Sequence, residues 1–502
     1  MPDTTLQSDR NGGTATPILR PPAARGWFDR LRAAVVERGR SFAPIPAISM
    51  APVERAHRLA SSLLTERGEA SGAAIASELL NVVTSLTVDE RAGFYAFLTQ
   101  NFQPDPLRLT EAAKAYLAQP DPLTTSALAA AAEPPRQEVL RRMNMAHGGT
   151  AFLVSMRKEL LASAPRESAF NPLDADMRHL FTSWFNRGFL ELRRIDWQTP
   201  AAILEKLITY EAVHEIQGWD DLRRRLAPDR RCFAFFHPSL PGEPLIFVEV
   251  ALVTGLAGSM RALLERETNE QTQLNRALAA DTAIFYSISN CQDGLRGISF
   301  GNFLIKQVVE ELRAELPGLR QFATLSPVPG FRRWIEKAFI TDVPPQLPLT
   351  GAERDGLHVA AGMATKPDQT LAAVQLLLSH ETWFQSEPVA QAVKPALLRL
   401  AAFYLTAASG GGWPLDPVAR FHLGNGASLR QINWMGNPSK RGMAESFGIM
   451  VNYLYDPAMI EANHEAFSRD GTIVSSPEVK TLLAMATTAD AKVKPLLFGK
   501  SP

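Results

Sequence analysis

The sequence predicts an α+β chain of two domains, all-helical first and α/β second, and three observations carry that expectation. Between residues 52 and 190 apolar side chains recur at three- and four-residue intervals, the period of one helix face. Past residue 195 the texture changes to short runs dense in Phe, Ile and Val, which suit strands. These runs then follow the order strand, glycine-containing loop, amphipathic helix, strand, the core of an α/β domain. At 502 residues the chain is too long for one ordinary core, which also favours two domains.

Taken in order, residues 1–45 are rich in Gly, Pro, Thr and Arg and read as a flexible lead. Residues 46–190 follow as a helical domain, with helical spacing around 53–68, 72–86, 134–145, 150–162 and 173–190. Thr87-Val-Asp-Glu90 is a capping box, in which the Thr and Glu side chains each satisfy an orphan amide of the first turn. The motif QPDPL occurs twice, at 103–107 and 119–123, and with EPP at 133–135 it breaks the helices. Residues 191–502 form the α/β domain. RCFAFF (231–236) and EPLIFVEVALV (243–253) read as strands joined by the turn HPSLPG, and TAIFYSIS (282–289) as a third. NFLIKQVVEELRAEL (302–316) places Leu304, Val308, Leu312 and Leu316 on one helix face, and QFATLS (321–326) reads as a further strand.

Composition narrows the function. Lys plus Arg (52) equals Asp plus Glu (52), whereas a nucleic-acid binder carries a basic excess. An anionic substrate is then held by a local cluster rather than by a global field. Cys232 and Cys291 stand far apart with no CxxC and no Cys/His ligand spacing, so no metal is expected and both read as inert core thiols in a reducing compartment. No apolar run approaches the ~18 residues of a membrane span. The N-terminus lacks the pattern of a secretory signal, and the C-terminal Gly-Lys-Ser-Pro lacks a peroxisomal address, which leaves the cytoplasm as the expected location.

Four segments carry chemistry. The loop Asn290-Cys-Gln-Asp-Gly294-Leu-Arg296-Gly297-Ile298-Ser299-Phe300-Gly301 precedes Asn302 and a helix; small residues there let backbone amides approach a phosphate, and Arg296 adds a positive charge. Thr324-Leu-Ser326-Pro-Val-Pro-Gly-Phe331 has prolines that stiffen a turn, so that Ser326 either points into a site or caps the helix FRRWIEKAF. Asp416-Pro-Val-Ala-Arg-Phe-His422 runs into a Gly-Asn-Gly turn, a loop setting suited to a catalytic histidine; His179, His237 and His464 are only slightly weaker candidates. Phe447-Gly-Ile-Met-Val-Asn-Tyr-Leu-Tyr455 is strand-like and ends in a tyrosine able to present its hydroxyl. Walker A and dinucleotide-binding spacings are absent from the loop, which argues against a nucleoside triphosphate or NAD.

The spacing Arg296-x-x-Ser299-x-Gly301 before an amphipathic helix resembles the acetyl-CoA-binding loop of GNAT acyltransferases, with Ser299 in place of the middle glycine. More specifically, the series HPSLPGEPLIFVEVAL, AIFYSIS, GNFLIKQVV, TLSPVPGF, LDPVARFHLGNGA, INWM and VNYLY resembles the malonyl-CoA decarboxylase family over most of residues 185–470. That resemblance implies a helical domain joined to a GNAT-like catalytic domain, decarboxylation of malonyl-CoA to acetyl-CoA and CO2 without a cofactor, and homo-oligomers (dimers or tetramers) formed through the helical part. It implies Ser326 and His422 as catalytic residues, Arg296, Gly297, Ile298, Ser299, Phe300, Gly301 and Asn302 as the CoA loop, and Tyr455 as a residue lining the site. Which of Ser326 and His422 gives the proton stays open. So do two other functions for such a loop, an acyl-CoA-dependent acyltransferase and a non-catalytic acyl-CoA sensor.

Overall fold

A computed structural model describes residues 27–40, 43, 45–46, 49–65, 68–163, 169–211, 213–265, 267–298, 304–340, 347–364, 366–407, 409–410 and 413–487. By its internal contacts the chain forms two compact units. One comprises residues 1–191 with 236–244 and 292–300; the other comprises 192–235, 245–291 and 301–502.

The first unit is helical, as expected. Its helices are Trp27–Arg40, Pro52–Thr65, Glu69–Ser85, Val88–Asn101, Pro106–Ala118, Pro122–Ala132, Pro135–Met145, Gly149–Ser163 and Asn171–Trp184. The Thr87–Glu90 capping box forms with both reciprocal bonds. Each QPDPL motif starts a helix rather than only ending one. Asp105 and Asp121 accept amides of the first turn while Pro106 and Pro122 occupy the first helical position, where a missing N–H costs nothing. The reading of residues 1–45 as a flexible lead is corrected over Trp27–Arg40, which is helical and packs on Glu69–Ser85. The Arg-rich composition obscures this helix, and a Cβ at Gly39 would run into the Ala70 carbonyl.

The second unit is built on a mixed sheet. Its strands, with a small separate hairpin numbered in sequence, are β1 (Glu191–Ile195), β2 (Arg230–Phe236), β3 (Pro244–Val253), β4 (Thr282–Asn290), β5 (Gln321–Thr324), β6 (Ser326–Pro327), β7 (Ser409–Gly410), β8 (Trp413–Pro414), β9 (Ser428–Asn433) and β10 (Met450–Leu454). The main sheet runs β1-β2-β3-β4-β5-β10-β6, with β9 on β10 and the β7–β8 pair apart. β3 and β4 are antiparallel, and β4 and β5 are parallel from Thr282↔Gln321 to Phe285↔Thr324. The expected fold class, helices first and a mixed α/β part after, therefore holds.

Two details of this sheet position the site. The single strand expected over 321–326 divides into β5 and β6, because β10 pairs with Ala323 through Leu454 and then with Ser326 and Pro327 through Val451 and Met450. Alternation then separates the side chains. Ala323, Leu325 and Met450 join Ala251, Met260, Leu263, Ile284 and Tyr286 in a buried cluster, which leaves Thr324 and Ser326, with Tyr453 and Tyr455, for the other face. The helix Leu304–Glu315 buries Leu304, Val308 and Leu312, the face expected from its spacing.

Candidate active site

Ser326, His422 and Tyr455, separated by up to 129 residues in sequence, form one buried hydrogen-bonded row in the second unit. Ser326 Oγ lies 3.0 Å from His422 Nε2, and His422 Nδ1 lies 2.8 Å from the Tyr455 hydroxyl. Ser326 Oγ donates to Thr324 Oγ1 at 2.9 Å, and Thr324 Oγ1 also accepts the Tyr453 amide at 3.2 Å. Ser326 does not cap the helix Phe331–Phe339, whose N-cap is Gly330. The alternative open at the sequence level is thereby removed, because the Ser326 side chain is engaged by His422.

His422 sits on a helix and not in the loop expected for it. Residues Pro417–Gly424 are helical, with Asp416 as N-cap accepting from the Val418 and Ala419 amides at 2.9 Å each and Pro417 at the first helical position. The cap and proline signals were present in Asp416-Pro417, but eight residues with a terminal Gly-Asn-Gly show too little periodicity to announce a helix. The turn after it requires Gly426, which has φ +83° and whose Cβ would strike the Ile460 carbonyl. The His422 ring stacks on Tyr453, centroids 4.7 Å apart and planes at 26°, which fixes the imidazole plane.

Burial sets the electrostatics of this row. His422 is 3% exposed, and with no charged partner to hold its proton, desolvation pushes it down to about 3; the ring is neutral at physiological pH with a single N–H. Burial likewise pushes the Tyr455 phenol well above its ordinary range, so it too stays protonated. Asp416 is fully buried; desolvation raises it to about 6, against the opposing pull of the Ala419, Val418 and Gly330 amides and of Arg420. Among the described residues no cluster of three metal-ligating side chains occurs, and no helix is long and apolar enough to cross a membrane.

Of the expected CoA loop, Ser299, Phe300, Gly301 and Asn302 lie outside the described residues. Arg296, Gly297 and Ile298 fall in the first unit, in a turn that packs on the helix Gly149–Ser163. Arg157, 1% exposed, donates to the carbonyls of Gly294 (2.7 Å) and Arg296 (2.9 Å) and is itself held by Asp174 at 2.7 Å. A Cβ at Gly294 would run into the Val154 carbonyl, and Gly297 has φ +78°, so both glycines are required by the backbone. The Arg296 side chain is largely exposed and meets Asp293 at 3.4 Å.

Sequence reasoning missed Thr324, Tyr453, Asp416 and Arg157 as parts of these arrangements. For Tyr453 a signal existed, since residues two apart on a strand share a face with Tyr455. Arg157 offered none; its partners lie 137 and 139 residues away.

A family model described as the malonyl-CoA decarboxylase C-terminal domain matches residues 188–493, and one for the N-terminal domain matches 102–185. The chain belongs to the malonyl-CoA decarboxylase family. A solved malonyl-CoA decarboxylase from Rhodopseudomonas palustris is 48% identical with a TM-score of 0.76, over 86% of this chain and 100% of that one. Another, from Agrobacterium vitis, is 48% identical with a TM-score of 0.73, over 85% and 99%. The mitochondrial malonyl-CoA decarboxylase of Anser anser anser is 35% identical over 410 residues, 78% of this chain and 80% of the relative. Family membership agrees with the resemblance carried by the sequence motifs.

Proposed function

We propose that this enzyme decarboxylates malonyl-CoA to acetyl-CoA and CO2, with Ser326 and His422 as catalytic residues. The observation that carries the reading is the buried Ser326–His422 contact at 3.0 Å, in a chain of this family. In the reaction the bond between the carboxylate carbon and C2 breaks, its electron pair passes into the thioester as an enolate, and CO2 leaves. The enolate oxygen needs a hydrogen-bond donor and C2 needs a proton. Ser326 orients the malonyl group and supplies a hydrogen bond. His422, neutral with one N–H, gives its proton to C2, and the imidazolate so formed takes one from water, leaving a hydroxide that carries the charge the carboxylate brought. No metal or organic cofactor enters this scheme.

The segment Arg296–Asn302 holds the CoA pyrophosphate in this reading. Support comes from the glycine-dependent turn at Gly294–Gly297 and the exposed guanidinium of Arg296. A homo-oligomer formed through the helical segment is supported by the helices Pro106–Ala118 and Pro122–Ala132, which bury no side chain while exposing Leu107, Leu117 and Leu123. Cys232 and Cys291 are both buried, which suits a reducing cytoplasm.

The deciding experiment incubates the protein with malonyl-CoA alone. CO2 release without an acceptor amine supports decarboxylation and excludes an obligate acyltransferase or a silent sensor. His422→Asn should lower turnover ~100-fold or more while CoA still binds; wild-type turnover in that variant would remove His422 from the mechanism.

A further inference from the structure

The row Tyr455, His422, Ser326, Thr324 has few protons to distribute, and their number decides its direction. A neutral imidazole carries one N–H, and each hydroxyl carries one proton. The Ser326 proton is directed to Thr324 Oγ1, so it is not the one shared with His422. The 3.0 Å contact between Ser326 and His422 is then donated by Nε2–H. With its proton on Nε2, the ring presents a lone pair at Nδ1, 2.8 Å from the Tyr455 hydroxyl.

The tyrosine leads to the same answer independently. Tyr455 is fully buried, and Nδ1 is the one hydrogen-bond partner of its hydroxyl among the described residues. If Nδ1 held the proton, the phenolic O–H would be buried without an acceptor. An unmade bond of that kind biases the tautomer ratio ~5- to 150-fold against such a ring.

We infer that Tyr455 is a positioning residue whose hydroxyl fixes His422 as the Nε2–H tautomer, so that Ser326 meets the substrate as a hydrogen-bond donor and not as a nucleophile. Donation runs from Tyr455 to His422 to Ser326 to Thr324. A nucleophilic serine needs a neighbouring base to take its proton. Here the imidazole nitrogen facing Ser326 gives a hydrogen bond and accepts none. When a substrate oxygen replaces Thr324 as the acceptor, only the Ser326 hydroxyl turns. Its Oγ, already accepting Nε2–H, is polarised into a stronger donor. Thr324 thus parks the serine proton in the substrate-free enzyme. The same tautomer places the proton of His422 on the nitrogen nearest the site. This assignment deepens the decarboxylase reading and rests on it for its catalytic meaning, though the tautomer itself is a property of the free enzyme.

The test is the nitrogen NMR spectrum of the full chain with 15N-labelled histidine, without substrate, at neutral pH. The chain has nine histidines, and the His422 signals are those missing from His422→Asn. The expected wild-type pattern is a neutral ring protonated at Nε2. In Tyr455→Phe the bias is removed and the ring becomes a tautomer mixture, with kcat down ~10-fold and KM changed less than ~2-fold, since the phenol touches the imidazole and not the substrate. A wild-type ring protonated at Nδ1 overturns the inference, as does Tyr455→Phe with unaltered tautomer and kcat. If that variant fails to fold, the wild-type spectrum alone decides. An Nε2–H ring in a protein that releases no CO2 from malonyl-CoA would sink the decarboxylase reading and leave the tautomer standing.

Discussion

Asp416→Asn tests how the His422 helix is held, and its effect is set by pH. Asp416 caps that helix through Oδ1, is fully buried, and is raised from 3.8 to about 6 chiefly by desolvation. The folded chain therefore binds this proton more tightly than the unfolded chain does. The stability contributed by the neutral carboxyl is complete below about pH 4 and is lost as pH rises through about 6. At about 1.4 kcal/mol for each pH unit between the two values, the loss amounts to about 3 kcal/mol by pH 7.5. Asparagine keeps a carbonyl oxygen for the Val418 and Ala419 amides but does not ionise, so the variant should lack this part of the pH dependence. Its new amide N–H2 brings a donor against the Gly330, Val418 and Ala419 amides that surround the carboxyl, and that lowers stability by about 1–3 kcal/mol at every pH. The pH-independent cost cancels when the difference between variant and wild type is followed across pH. Urea unfolding at pH 4.0, 5.5 and 7.5 measures it, other titrating groups being common to both proteins. The difference should move by about 2–3 kcal/mol in favour of the variant between the first pH and the last. Parallel curves would refute the buried, proton-holding carboxyl.

Arg157→Ala should destabilise the first unit by about 3 kcal/mol, leaving Asp174 and the Gly294 and Arg296 carbonyls without their donor, and should weaken CoA binding; thermal unfolding and calorimetric titration check both. Since burial holds His422 down to about 3, kcat should show no break near pH 6.5 from this residue, and its charging should inhibit only as pH falls toward 3. Burial pushes the Cys232 thiol well above its ordinary value, so iodoacetamide should alkylate it only after unfolding, which mass spectrometry reads directly. Dialysis against a chelator should leave CO2 release from malonyl-CoA unchanged; a loss restored by a divalent cation would contradict the cofactor-free scheme.

The local half of this protein was legible because its signals are local. The Thr87–Glu90 box, the strands at 231–236, 243–253 and 282–289, and the buried face of Leu304–Glu315 follow from period and capping chemistry that act within a few residues. Family motifs singled out Ser326, His422 and Tyr455 without saying that they touch. Where short-range signals competed, reading failed. Asp416-Pro417 was a helix start hidden before eight residues, and Arg-rich composition hid the helix Trp27–Arg40.

By itself, then, the amino-acid sequence determined the helices and strands whose signals are local and uncontested, the family, and the residue types available for chemistry. Only tertiary structure decided what those residues are. Alternation on β5, β6 and β10 brought Thr324, Ser326, Tyr453 and Tyr455 to one face, and the Pro417–Gly424 helix delivered His422 to them across 96 positions. The charge state of His422, the cost of ionising Asp416 and the direction of the hydrogen-bonded row all depend on exclusion of water. Desolvation is a property of the packed environment, and a sequence carries it only through the fold.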